Sequence, residues 1–229
     1  MDERPFFDLE NYLHLVQSFH GYMAPGVIIG GLMVNLAKRN LPEGTLFNAI
    51  CETKACLPDA IQLLTPCTVG NGRLEILNLG RFALSLFDKD EGKGYRVSLD
   101  YRKVDQWPEI KDWFFKLKPK MEQDKELLLA EIKEAKDTLY RIEAVWVRSQ
   151  FLRKKKRGEI VICPCCQEAY PAKDGEVCRG CQGESPYTTT DLSEGQVTAS
   201  QPGEIAGPFE IGLAYQKGFQ RRYLKSRGG

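Results

Sequence analysis

Phe82-Ala83-Leu84-Ser85-Leu86-Phe87-Asp88-Lys89-Asp90-Glu91-Gly92-Lys93-Gly94-Tyr95-Arg96-Val97-Ser98-Leu99 is the stretch on which the fold turns. Its two ends alternate, or nearly so, between apolar and other side chains, which is the period of a half-buried antiparallel strand. Between them Asp90-Glu91-Gly92-Lys93-Gly94 supplies a hairpin loop. Strand-like runs at 46–52 and 74–79 extend the sheet upstream. Residues 8–19 place Leu9, Tyr12, Leu13, Val16 and Phe19 at helical spacing behind Asp8 as a cap, so that His20 falls near a helix end. A nearly all-apolar helix over 27–40 contains Gly30-Gly31, which permits close approach by another backbone. Pro58 suits the first turn of a short helix through Leu64. The pattern predicts an α+β fold with a mostly antiparallel sheet, in a core domain over 1–118.

After Pro119 the composition shifts to Glu, Lys, Leu and Ala, with no further Gly or Pro until after Arg153. Leu128, Ile132, Ala135, Leu139, Ile142, Val145 and Trp146 recur at three- and four-residue steps, which predicts one long amphipathic linker helix over 119–158. At ~1.5 Å per residue the stretch from Pro119 to Arg153 alone is about 50 Å long as a helix and outreaches a small domain. Its stripe needs either its own domain or a second copy of the chain, and a homodimer is expected. Arg153-Lys154-Lys155-Lys156-Arg157 reads first as a solvated helix tip and second as a nucleic-acid contact. Residues 188–229 read as a flexible low-complexity tail, with some aromatic and basic character over 209–224.

The chain has 229 residues, with 32 Lys+Arg against 31 Asp+Glu, so no global basic field draws it to nucleic acid. Hydrophobic residues at 42% exclude wholesale disorder. No apolar run approaches the ~18–20 residues of a membrane span, and the acidic start Met1-Asp2-Glu3 is no signal peptide, so a cytoplasmic location without membrane contact is expected.

Eight cysteines fall into two groups, Cys51, Cys56 and Cys67 upstream and five between Cys163 and Cys181. Cys163-x-x-Cys166, eleven residues, then Cys178-x-x-Cys181 is the spacing of a closed tetrahedral thiolate shell, which predicts a structural zinc finger over 159–187. Zinc binding also explains how a segment with few large apolar side chains folds. Cys165 offers a rival sulfur, but the two-residue spacing of the second pair favours Cys166.

A second concentration of chemistry lies at element junctions: His20–Gly26, then Glu52–Gln62, then Cys67–Gly72. A thiol, an imidazole and a carboxylate there suit a ligand or catalytic cleft, whereas a buried cysteine and a capping histidine explain the same residues without one. In their order these segments resemble the FmdE family, named for the E subunit of formylmethanofuran dehydrogenase, which carries His-Gly-His-x-Cys-Pro-Gly, an acidic residue before Cys-x-x-Asp-Ala-Ile-Gln, and Cys-Thr-x-Gly-x-Gly. The resemblance covers roughly 10–115, and residues 160–187 resemble the treble-clef finger that some members add.

The resemblance implies a dimerising α+β core, a cleft lined by the motif residues, and association with the molybdenum or tungsten enzyme of methanogenesis. It carries over to His20, Cys56, Asp59, Gln62, Cys67 and Thr68 as cleft candidates. This sequence departs from the pattern at Tyr22, where the family has its second His, and at Ala24, where it has Cys. Phenol is a poor zinc ligand and alanine binds nothing. A second metal in the core would therefore be weakly held, by His20 and Cys67 with Asp59 or water. The reading that results is an accessory or metal-handling protein. Its rivals are a thiol- or metal-dependent enzyme acting on a small molecule through Cys67 or Cys56, and a zinc-finger interaction module for nucleic acid or protein, with nucleic acid ranked last.

Overall fold

Residues 82–99 form the hairpin that their alternation predicts, β3 (Ala83–Asp88) pairing antiparallel with β4 (Lys93–Leu99). Asp88 Oδ1 accepts the N–H groups of Asp90 and Glu91, both at 2.8 Å, and Gly92 closes the loop at φ 75°. Gly94 faces Phe87, where a Cβ would lie 2.1 Å from the Leu86 carbonyl oxygen. These features belong to a computed structural model, which describes residues 8–152 and 158–187. The Arg153–Arg157 run and the 188–229 tail, including 209–224, lie outside the described residues.

The chain divides into two compact units, Met1–Lys156 and Arg157–Gly229. In the first unit a five-stranded sheet has the order β2-β1-β3-β4-β5, where β1 is Phe47–Cys51, β2 is Leu74–Ile76 and β5 is Tyr140–Trp146. Only β1 and β2 run parallel, joined by the short helix α3 (Leu57–Leu64). Ala49, Cys51, Leu84, Leu86 and Val97 join one apolar cluster with α1 (Leu9–His20) and α2 (Pro25–Asn40). Each large side chain so buried contributes roughly 1.5–3 kcal/mol.

The Gly30-Gly31 pair works as expected, except that side chains rather than backbone make the close approach. A Cβ on Gly31 would lie 2.2 Å from the Tyr12 ring, and one on Gly30 would lie 2.8 Å from Ala60 Cβ. Tyr12 turns its hydroxyl onto the Val27 carbonyl at 2.6 Å. At the end of β1, buried Glu52 receives Arg96 through Nε and Nη2, at 2.7 and 2.9 Å, and Arg81 at 2.7 Å.

The long helix expected over 119–158 does not form. α5 (Lys125–Ala135) stops at Lys136, whose φ of 45° breaks the spiral, and a 3-10 turn leads into β5. From Tyr140 onward the sequence satisfies two periods at once: Tyr140, Ile142, Ala144 and Trp146 also alternate with Arg141, Glu143 and Val145. The open edge of β4 decides between them, because its backbone groups pair with all seven residues of β5. Leu128, Ile132, Ala135 and Leu139 enter the main cluster, whereas Ile142 and Trp146 stay exposed on β5, so only the first half of the stripe is covered by its own domain. The core therefore runs past 118 through β5. Also unforeseen is α4 (Pro108–Phe115), held to α5 where the Glu131 carboxylate accepts the Ile110 N–H at 3.0 Å.

The second unit is small. β6 (Ile160–Ile162) pairs antiparallel with β7 (Ala169–Pro171), and short helical turns follow at Ala172–Asp174 and Gly180–Glu184. Among the described residues, no helix is long and apolar enough to cross a membrane.

Candidate functional site

In the second unit the β6–β7 turn and the Gly180 turn bring Cys163, Cys166, Cys178 and Cys181 together, their sulfurs all within 4.8 Å of one another. Cys163 Sγ lies 3.8 Å from Cys181 Sγ, and Cys166 Sγ 3.6 Å from Cys178 Sγ. A tetrahedron with arms of ~2.3 Å has edges of about 3.8 Å, so the spacing fits zinc. Cys165 stands outside the group and is exposed. Backbone N–H groups of Cys166 and Cys178 aimed at the Cys163 sulfur pull its thiol down to about 6, which favours the thiolate that a metal binds. Gln182 Nε2 braces the second turn by donating to the carbonyls of Asp174 and Val177, both at 2.7 Å. Among the described residues this is the one grouping of three or more His, Cys, Asp or Glu placed to share an ion. It is a structural zinc site.

The six core candidates separate into two sets along α3. At its N-terminal end His20 Nδ1 lies 2.7 Å from Asp59 Oδ2, with the Tyr22 ring 4.9 Å from the imidazole. His20 is delivered by the end of α1, which stops at Gly21 with φ 86°. Cys56 immediately precedes α3 with φ 55° and ψ −47°, and the Leu57 N–H reaches back to the Ala55 carbonyl at 2.5 Å. That is a γ-turn on a non-glycine residue, a strained geometry that clusters at functional sites. Burial, and then the Asp59 carboxylate, push the Cys56 thiol up, while Lys120 pulls it the other way.

Gln62, Cys67 and Thr68 belong to the other end of α3. Gln62 Oε1 accepts the Val69 N–H at 3.3 Å, and Thr68 exchanges hydrogen bonds with Asn71 at 3.1 Å. Cys67 is fully buried with its sulfur 3.5 Å from the Phe47 carbonyl. Eight residues of helix span about 12 Å, which explains the separation.

The cavity of the core, about 1060 Å³, opens beside Cys56 and is lined by Tyr22, Ala24 and Gly26, but not by His20, Asp59 or Cys67. His20 and Asp59 adjoin that opening through Tyr22 and Cys56, while Cys67 lies past the other end of α3. The opposite wall comes from Trp113 of α4 and Leu128, Leu129 and Ile132 of α5. Sequence reasoning missed that wall because it ran α5 into a single helix and left α4 unread. Pro108 at a helix start and Asp124, whose carboxylate caps α5, are the signals that mark it.

Known proteins share both units. The family model described as FmdE, molybdenum formylmethanofuran dehydrogenase operon, matches residues 19–146, and the FmdE treble clef zinc finger matches 154–188. A protein from Syntrophus aciditrophicus, known from its crystal structure and described as like the E subunit (FmdE) of a tungsten formylmethanofuran dehydrogenase, is 54% identical, with a TM-score of 0.75 over 80% of this chain and 96% of that one. A curated relative from Archaeoglobus fulgidus, described as a probable S-adenosyl-L-methionine-binding protein, is 32% identical over 111 residues, which are 45% of this chain. The chain spans 30% of that relative's length.

Proposed function

We propose, from the premise that this chain belongs to the FmdE family, that it is an accessory protein to a molybdenum or tungsten enzyme, with a ligand-binding core cleft at Cys56 and one structural zinc held by Cys163, Cys166, Cys178 and Cys181. The observation that carries this reading is the division of the chemistry. Four thiolates close a zinc shell and leave no open position for water or substrate, so zinc there supplies fold rather than catalysis. The core cavity offers one thiol among largely apolar walls, and Tyr22 and Ala24 line it where the family pattern has imidazole and thiol. That donor set favours an organic ligand over a resident metal.

A thiol enzyme is the weaker reading. Burial and Asp59 raise the Cys56 thiol, and its sulfur makes no hydrogen bond to His20, whereas a nucleophile needs the thiolate. The accessory role is tested by sedimenting the full chain with purified molybdenum or tungsten formylmethanofuran dehydrogenase. Co-sedimentation is expected. Independent migration would remove the accessory role, and turnover of a thiol-reactive substrate by the chain alone, lost in Cys56→Ser, would install the enzyme in its place.

A further inference from the structure

The geometry points to an amphipathic carboxylate as the ligand of the core cavity: an apolar acyl or aryl body with one anionic head. This rests on the ligand-cleft reading above and adds the chemical class. At about 1060 Å³ the cavity is at the upper end of small-molecule sites. Met23, Trp113, Leu117 and Leu129 give it walls, backed by the buried Leu128 and Ile132, that reward an apolar body and offer little to a hydrated inorganic ion.

The charge around it is one-sided. Lys116, Lys118, Lys120 and Lys125 line it against the single acid Glu126. Lys118 is committed to Glu109 and Asp112, and Lys120 sits 5.0 Å above the Tyr22 ring. Lys116 and Lys125 have no ion pair among the described residues, so their charge is left for a ligand. Two helix starts add to that sign, with Asp59 in the first turn of α3, paired to His20, opposing it beside Cys56. α2 begins beside Ala24 and α3 beside Cys56, neither with a side-chain cap. They meet so closely that a Cβ on Gly26 would lie 2.8 Å from Cys56 Cβ. Each start carries a partial positive charge. The same field repels cations.

The test is calorimetric titration of the full chain with dodecanoate, dodecylammonium and acetate, with Trp113 fluorescence as a second readout. Dodecanoate should bind with a fluorescence change that Trp113→Phe abolishes. Dodecylammonium should bind at least about tenfold more weakly, and acetate should not bind measurably. Lys116→Glu with Lys125→Glu, both exposed positions, should weaken dodecanoate by about tenfold with unchanged melting. Added salt should weaken dodecanoate binding in the unsubstituted chain, a measurement that needs no variant. Equal affinity for the ammonium and carboxylate amphiphiles would overturn the ligand class while leaving the cleft. Failure of every amphiphile to bind, with Cys56 alkylation by iodoacetamide unaffected by any of them, would overturn both. A dimer that ignores dodecanoate and dissociates on Leu117→Asp would give the cavity to a second copy instead.

Discussion

In the core, Val16, Ile29, Met33, Leu84 and Ile132 are fully buried within one apolar cluster; in the finger, Cys163 and Tyr170 are the only buried residues among those described. The core gains its shape from apolar surface removed from water, spread over its helices and a five-stranded sheet. The finger has a hairpin of two three-residue strands, a tyrosine whose hydroxyl donates to the Gly175 carbonyl at 2.9 Å, and four converging sulfurs. Too little apolar area is buried there to offset chain entropy, so the bond to zinc has to. The difference teaches that the two compact units draw their stability from different sources, apolar burial in one and thiolate–metal bonds in the other, which should be removable one at a time.

Chelation is the strongest way to sharpen this contrast. Removing zinc should cost the finger an apparent ~10–16 kcal/mol, so amide exchange over 158–187 should become unprotected while 8–146 stays protected. Simultaneous loss of protection in the core would break the contrast. Next in size, Ile132→Ala should lower core stability by about 2–5 kcal/mol, because the side chain is fully buried within its own domain. The loss should not depend on protein concentration. A concentration-dependent melting point would mean that the stripe is completed by a second copy. Smaller again, Gly31→Ala drives a methyl into the Tyr12 ring and should cost about 1–3 kcal/mol in denaturant unfolding, with zinc content unchanged.

The smallest effect is on pH dependence. Burial pushes the Glu52 carboxyl up, but hydrogen bonds and charge from Arg96, and then Arg81, outweigh it and hold the group below its ordinary range. A depressed folded pKa contributes stability above the unfolded value of ~4.3 and loses it as pH falls through the folded value. Core stability should therefore decline on the acid side below about pH 4, and Glu52→Gln should flatten that limb. An unchanged acid limb in the variant would show that Glu52 is not the group responsible.

What the sequence discloses follows from how locally each feature is encoded. The finger is spelled by two Cys-x-x-Cys pairs, whose spacing marks the four sulfurs that the β6–β7 turn and the Gly180 turn bring together. The β3–β4 hairpin is equally local, with its turn residues and its alternation in one stretch. β5 is not local. Leu139, Ile142 and Val145 fit a helix as well as a strand, and only the waiting edge of β4, some forty residues upstream in the chain, selects the strand. The cavity is illegible in the sequence for the same reason. Cys56 stands out by its motif, but Trp113 and Leu129 become its neighbours only once α4 and α5 fold across it. His20 and Asp59 do meet, whereas Cys67, which the motif order ties to them, lies beyond the far end of α3.

Zinc content per chain, measured on the 229-residue chain beside Cys178→Ser and Cys165→Ser, tests the division between core and finger most directly. The expected result is one equivalent in the full chain, none in Cys178→Ser with core melting unchanged, and one in Cys165→Ser. Two equivalents in the full chain, or a full equivalent kept by Cys178→Ser, would contradict it.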